Sequence, residues 1–175
     1  MMKKISAIIL SFAFVIALAP PAQAVISSGT LIKGSLSTVY YYGGDGKRYV
    51  FPNQKTYNTW YSGFSGVTTI SDAELASIMI GGNVTYKPGT RLVKITTDPR
   101  VYAIASPNTL RWVKSEAIAS ALYGSTWNLK VEDIPDAFFF SYRIGADINS
   151  TSDYSVQNTF ENCISINQCM GLLVQ

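Results

Sequence analysis

The 175-residue chain contains no histidine. That absence removes Ser-His-Asp and Cys-His catalytic sets, the zincin helix, and any haem or zinc site built on imidazole. It also removes the side chain that titrates near neutrality. Charge is scarce: Asp, Glu, Lys and Arg make up 14% of residues, against 13% for the aromatics. Disordered chains show the reverse balance, so this composition calls for a packed core. Cysteine is limited to two residues, too few for a disulfide-built scaffold.

What the N-terminus does hold is a patterned leader. Lys3 and Lys4 precede the largely apolar Ile5 to Ala19, and Pro20-Pro21 and Ala22-Gln23-Ala24 follow. This is the layout of a secretory signal peptide with cleavage after Ala24. A membrane anchor is the competing reading, but a span takes about 20 apolar residues and the prolines stop this run short. No later run is long enough to span, so no membrane span is expected after cleavage. Lys3 and Lys4 leave with the leader and lower the formal charge from +3 to +1. No basic stripe remains, so no nucleic-acid partner is expected.

Residues 25–148 read as an internal duplication. Leu31-Ile32-Lys33 recurs as Leu92-Val93-Lys94, Val39-Tyr40 as Val101-Tyr102, and Arg48-Tyr49-Val50 as Arg111-Trp112-Val113. Phe64 matches Trp127, Ile70 to Ala73 matches Ile134 to Ala137, and Ile80 to Val84 matches Ile144 to Ile148. Two copies with a period near 60 residues point to a tandem pair rather than a solenoid, which needs three or more. In each copy a hairpin precedes short helices and a strand. Gly43-Gly44-Asp45-Gly46 is the hairpin turn, Asn53 caps the next helix, and Ser71-Asp72-Ala73-Glu74 is a capping box. Gly81-Gly82 stops that second helix. The expected fold is α+β, with two tandem pseudo-repeats sharing one core. The expected boundaries are a leader over 1–24, unit one over 25–90, unit two over 91–148, and a polar linker with a Cys-containing tail over 149–175.

Four constellations carry possible chemistry. Cys163 and Cys169, an even pair at short spacing in an exported chain, read as a disulfide. So small a ring stabilises by about 2 kcal/mol. A metal site would lack ligands, and redox pairs usually stand closer in sequence. No metal and no cofactor are expected. Paired carboxylates would serve a glycosidase, with Asp72, Glu74, Glu132, Asp133 and Asp136 as candidates. Asp72 and Asp136 precede equivalent helices, where a carboxylate meets the helix dipole, and that reading is preferred over catalysis. Aromatics at repeated positions (Tyr40/Tyr102, Tyr49/Trp112, Phe64/Trp127) read as core. The unpaired Tyr42 and Tyr61 are the candidate exposed binding residues. Asp45 reads as a turn residue rather than a calcium ligand. Asn83-Val84-Thr85 and Asn149-Ser150-Thr151 fit the glycosylation sequon.

With Val39-Tyr40, Gly43 to Gly46, Arg48-Tyr49, Pro52-Asn53, Asp72-Ala73 and Ile80-Gly81 in place, residues 29–148 resemble a tandem α+β repeat domain of secreted and cell-surface bacterial proteins, S-layer-like or cell-wall-associated. The resemblance implies location and a modular role, and brings no catalytic residues with it. The expectation is a non-catalytic exported module, extracellular or at the cell surface, that binds envelope glycan or another surface protein. The alternatives are a secreted carboxylate-dependent hydrolase and a secreted inhibitor or partner-binding protein.

Overall fold

The structure, a computed structural model, describes residues 26–172. The expected leader over 1–24 and the last three residues of the apolar tail lie outside the described residues.

The chain builds two five-stranded sheets of one layout, flanked by helices. The first uses β1 (Leu31–Lys33), β2 (Tyr40–Tyr42), β3 (Arg48–Val50), β4 (Val67–Thr69) and β5 (Ile80–Asn83), in the order β4-β1-β2-β3-β5. The second uses β6 (Leu92–Ile95), β7 (Asp98–Ala105), β8 (Thr109–Trp112), β9 (Val131–Ile134) and β10 (Arg143–Ile144), in the order β9-β6-β7-β8-β10. In both, the three central strands pair antiparallel and each outer strand runs parallel to its neighbour. Parallel neighbours need crossovers. Helix α1 (Gln54–Asn58) lies on the β3–β4 crossover, and α2 (Asp72–Ser77) joins β4 to β5. Helices α3 (Glu116–Tyr123) and α4 (Asp136–Phe139) repeat those roles. This mixed α+β arrangement is consistent with a tandem pseudo-repeat.

Strand pairing corrects one detail of the sequence match. Tyr40 pairs with Val50 as Tyr102 pairs with Trp112, and Phe51 N–H donates to Val39 O as Val113 N–H donates to Val101 O. Tyr49 therefore corresponds to Arg111, and the match of Arg48-Tyr49-Val50 to Arg111-Trp112-Val113 is one residue out. A one-residue slip moves a side chain to the other face of a sheet. Hence Tyr49 is buried, while Trp112 is half-buried with Lys114 Nζ 3.5 Å from its ring centre. Gly81-Gly82 also differs from expectation: α2 has already ended at Ser77, and both glycines lie in β5. The Tyr49 ring packs over this backbone, and a Cβ on Gly81 would overlap it.

The buried side chains fall into three clusters instead of one. One lies on the first sheet around Leu31, Tyr41, Phe51 and Tyr57, and a second lies on the second sheet around Leu92, Ala103, Val113 and Ala119. The third joins Val93, Tyr102, Ile104, Leu110 and Ile134 to Tyr86, which leaves the first unit to reach it.

Residues 149–172, expected as a polar linker and a Cys-containing tail, form short helices that pack on both units. Ser150 and Asp153 form a capping box on a 3-10 turn, α5 spans Val156–Glu161, and α6 spans Ile166–Met170. Tyr154 is buried in the second cluster, and its hydroxyl donates to Ile104 O at 2.8 Å. Ile166, Met170 and Leu172 are buried in the first. The polar composition that suggested a linker is used locally, because Ser150, Ser155 and Ser165 are all N-cap residues. Among the described residues, no helix is long and apolar enough to cross a membrane.

Candidate functional site

Two shallow grooves occupy equivalent places on the two units. The first has a volume of about 360 Å³ and runs between the entry to β2, at Ser37 and Val39, and the start of α1, at Asn53 and Gln54. Tyr57 and Phe64 wall it. The second, about 220 Å³, runs between Pro99 and Val101 on one side and Ser115 and Glu116 on the other, with Ala119 and Trp127 as the wall. Six positions thus recur at a separation of 62 or 63 residues, and Phe51 and Val113 make a seventh pair.

Local sequence explains both shapes. Asn53 is extended and its Oδ1 accepts the Thr56 N–H at 2.8 Å, which turns the chain sharply from β3 into α1. Ser115 caps α3 in the same way, its Oγ accepting the Ile118 N–H at 3.3 Å. Phe64 stacks on Tyr57, with ring centres 4.5 Å apart and planes 17° off parallel, and stays 53% exposed. In the second unit the large Tyr57 gives way to the small Ala119, and Phe64 gives way to the larger Trp127. Trp127 opens a 3-10 turn and is half-buried against the second cluster. Neither groove is lined by Lys or Arg, and Glu116 is the one charged lining residue. The chemistry on offer is ring faces beside hydroxyls and side-chain amides.

The expected binding residues Tyr42 and Tyr61 lie outside both grooves and are half-buried. Tyr42 sits in β2 beside the glycine turn. Tyr61 packs edge-on to Phe51 and against Tyr57, and burial pushes its hydroxyl up to about 12. Phe64 and Trp127, expected in the core as a repeated pair, are the groove walls. Their recurrence was visible in the sequence; their partial exposure was not.

Four of the five candidate acids, all but Glu74, are each held by a separate partner. Asp72 accepts from the Ser35 N–H at 2.8 Å and the Ser35 hydroxyl at 2.7 Å, and those bonds hold its carboxyl below the usual range. Asp136 accepts from the Thr97 hydroxyl, which follows β6 as Ser35 follows β1. Capping proper belongs to Ser71, whose Oγ accepts the Glu74 N–H. The repeated aspartates instead tie the second helix of each unit to the loop after its first strand. Glu132 pairs with Lys55 at 2.6 Å and Asp133 with Lys94 at 2.5 Å. Adjacent strand residues point to opposite sheet faces, so these two acids do not converge.

Cys163 and Cys169 are joined in a disulfide with Cα atoms 5.6 Å apart, and both are buried. Asp45 serves the turn: it accepts from the Lys47 N–H at 3.2 Å and the Tyr49 hydroxyl at 2.7 Å. Among the described residues, no group of three His, Cys, Asp or Glu side chains is placed to hold a metal ion. The chain matches no protein-family model, no curated protein and no solved structure.

Proposed function

We propose that this chain is a non-catalytic exported module of the cell envelope or cell surface, and that it binds glycan through its two aromatic-walled grooves. The observation that carries the reading is the recurrence of one groove, with Phe64 or Trp127 as its wall and hydrogen-bonding side chains on its rim. A ring face next to hydroxyls and amides suits a sugar, which has apolar C–H faces and polar edges. The leader pattern at residues 1–24 and the resemblance to envelope-associated repeat domains support the location. The repeat is read as a tandem duplication whose copies share the strand order of both sheets.

Retention of residues 25–175 on purified cell-wall glycan tests the function. No retention at high protein concentration removes it. A second reading, docking to another surface protein, has its own observation. Ile80 and Ile144, equivalent residues of the outer strands β5 and β10, are 60% and 63% exposed, with Met79 and Phe140 exposed nearby in sequence. That reading predicts that the double variant Ile80→Asn, Ile144→Asn loses cross-linking to an envelope protein while glycan retention is unchanged.

A further inference from the structure

We infer that the two grooves are equivalent subsites for one uncharged repeating unit, so that the chain is a bivalent binder of a neutral polysaccharide. The inference rests on the glycan reading above and goes beyond it in valency and in ligand charge. Two observations carry it.

The first is positional. The wall residues Phe64 and Trp127, the capping residues Asn53 and Ser115, and the rim residues Gln54 and Glu116 stand at matching points of two sheets with one strand order. Tyr57 gives way to the much smaller Ala119 and Phe64 to the larger Trp127, and a groove stands at this place in both units, of about 360 and 220 Å³.

The second is electrostatic. Neither lining contains a cation, and the second contains the carboxylate of Glu116; Lys114 and Arg100 lie on the ring of its lining residue Trp112, but each is paired with an acid, Asp147 and Asp98. The cations beside the second groove are already matched by their own carboxylates, so a polyanion would gain little there and would meet Glu116. An uncharged polyol exchanges its water for the rim hydroxyls and amides and stacks a C–H face on the exposed ring. A single weak subsite holds little. Two on one chain, facing a polymer that repeats the same unit, make the second binding event intramolecular, which raises overall retention by about 10²–10⁴-fold over one site.

The experiment uses residues 25–175 with two probes, the soluble tetramer of β-1,4-linked N-acetylglucosamine and its insoluble polymer. Calorimetry with the tetramer is expected to give two sites per chain. Phe64→Ala and Trp127→Ala should each leave one site, and each should lower retention on the polymer at least tenfold. The pair together should abolish it. Gln54→Ala and Glu116→Ala, at exposed rim positions, repeat the comparison without touching a packed ring. Equal unfolding midpoints confirm that each variant is folded. One site per chain in the parent protein overturns bivalency, as does undiminished polymer retention by the single variants. Retention on cell-wall glycan with none on either probe overturns the uncharged ligand while the glycan reading stands. Loss of retention on every glycan removes that reading itself.

Discussion

Replacing Ile166 by alanine tests whether the C-terminal segment is structural. Ile166 is 1% exposed and packs with Leu31, Tyr41 and Tyr57 of the first unit, more than 100 residues earlier in sequence. Alanine removes three carbons. At about 0.8 kcal/mol per buried carbon the transfer loss is about 2.4 kcal/mol. The cavity adds about 1 kcal/mol where the surroundings relax only in part, for a total of about 3 kcal/mol. A domain stable by about 5–15 kcal/mol loses a large share of that. With a urea dependence of about 2 kcal/mol per molar, the unfolding midpoint falls by about 1.5 M. Ile164 supplies the control. It lies two residues away and is 82% exposed, so Ile164→Ala should move the midpoint by less than about 0.3 M. If both variants unfold with the parent protein, the segment over 149–172 is a loose extension and the packing described for it is wrong. The double variant Cys163→Ser, Cys169→Ser should cost about 2 kcal/mol from loop entropy. It should also raise the proteolytic sensitivity of α6.

Three further outcomes follow from particular groups. Asn108 has φ 45° and joins four segments: its Oδ1 accepts from the Thr85 hydroxyl, its Nδ2 donates to Ser141 O, its N–H donates to Cys169 O, and its carbonyl accepts from Arg143 N–H. Asn108→Ala leaves the buried Thr85 hydroxyl unpaired and places a residue less suited to positive φ, at a cost of about 2–3 kcal/mol in urea unfolding; a loss below about 0.5 kcal/mol contradicts this role. The carboxyl of Asp72 is held low in the folded state by Ser35, so its contribution is present above the unfolded value of about 4 and is lost as pH falls through the lowered folded value. Asp72→Asn should therefore flatten the dependence of stability on pH below about 4, and an unchanged slope refutes the tether. With no histidine in the chain, stability and glycan retention should be level between about pH 6 and 7.5, and a sigmoidal change there would require a titrating group outside this account.

Much of the fold was legible because two copies of one pattern constrain each other. The turn at Gly43 to Gly46 and the caps at Asn53 and Ser71 are local chemistry, and the chain uses them as local chemistry predicts. Failures arose where a local match had to be resolved by long-range pairing. Arg48-Tyr49-Val50 and Arg111-Trp112-Val113 look alike, yet the register against Tyr40 and Tyr102 sets them one residue apart. Identity of letters does not fix the face of a strand; the pairing does. The grooves were missed for a related reason. Recurrence of Phe64 and Trp127 suggests burial, although a repeated surface feature leaves the same trace.

The C-terminal segment is what makes two similar units one object. Its first part, through Tyr154, completes the second unit's cluster, while α6 returns to the first unit and Ile166, Met170 and Leu172 are buried there. On the way it is held from both sides. Asn167 Oδ1 accepts from Gly44 N–H at 2.8 Å in the first hairpin, and Cys169 O accepts from Asn108 N–H at 2.9 Å in the second. The Cys163–Cys169 ring closes across the turn into α6, so it restricts the stretch of chain that must find both hairpins at once. Linkage through a late segment has a consequence for binding. Each groove is formed within its own unit, so loosening α6 should leave single-site affinity for the tetramer intact. It should reduce retention on the polymer, because effective concentration depends on how firmly the two sites are held relative to each other. The double variant Cys163→Ser, Cys169→Ser, which leaves the cluster beneath Tyr57 in place, is therefore expected to separate the two measurements, and a parallel loss in both would place the grooves, not their linkage, under the control of the tail.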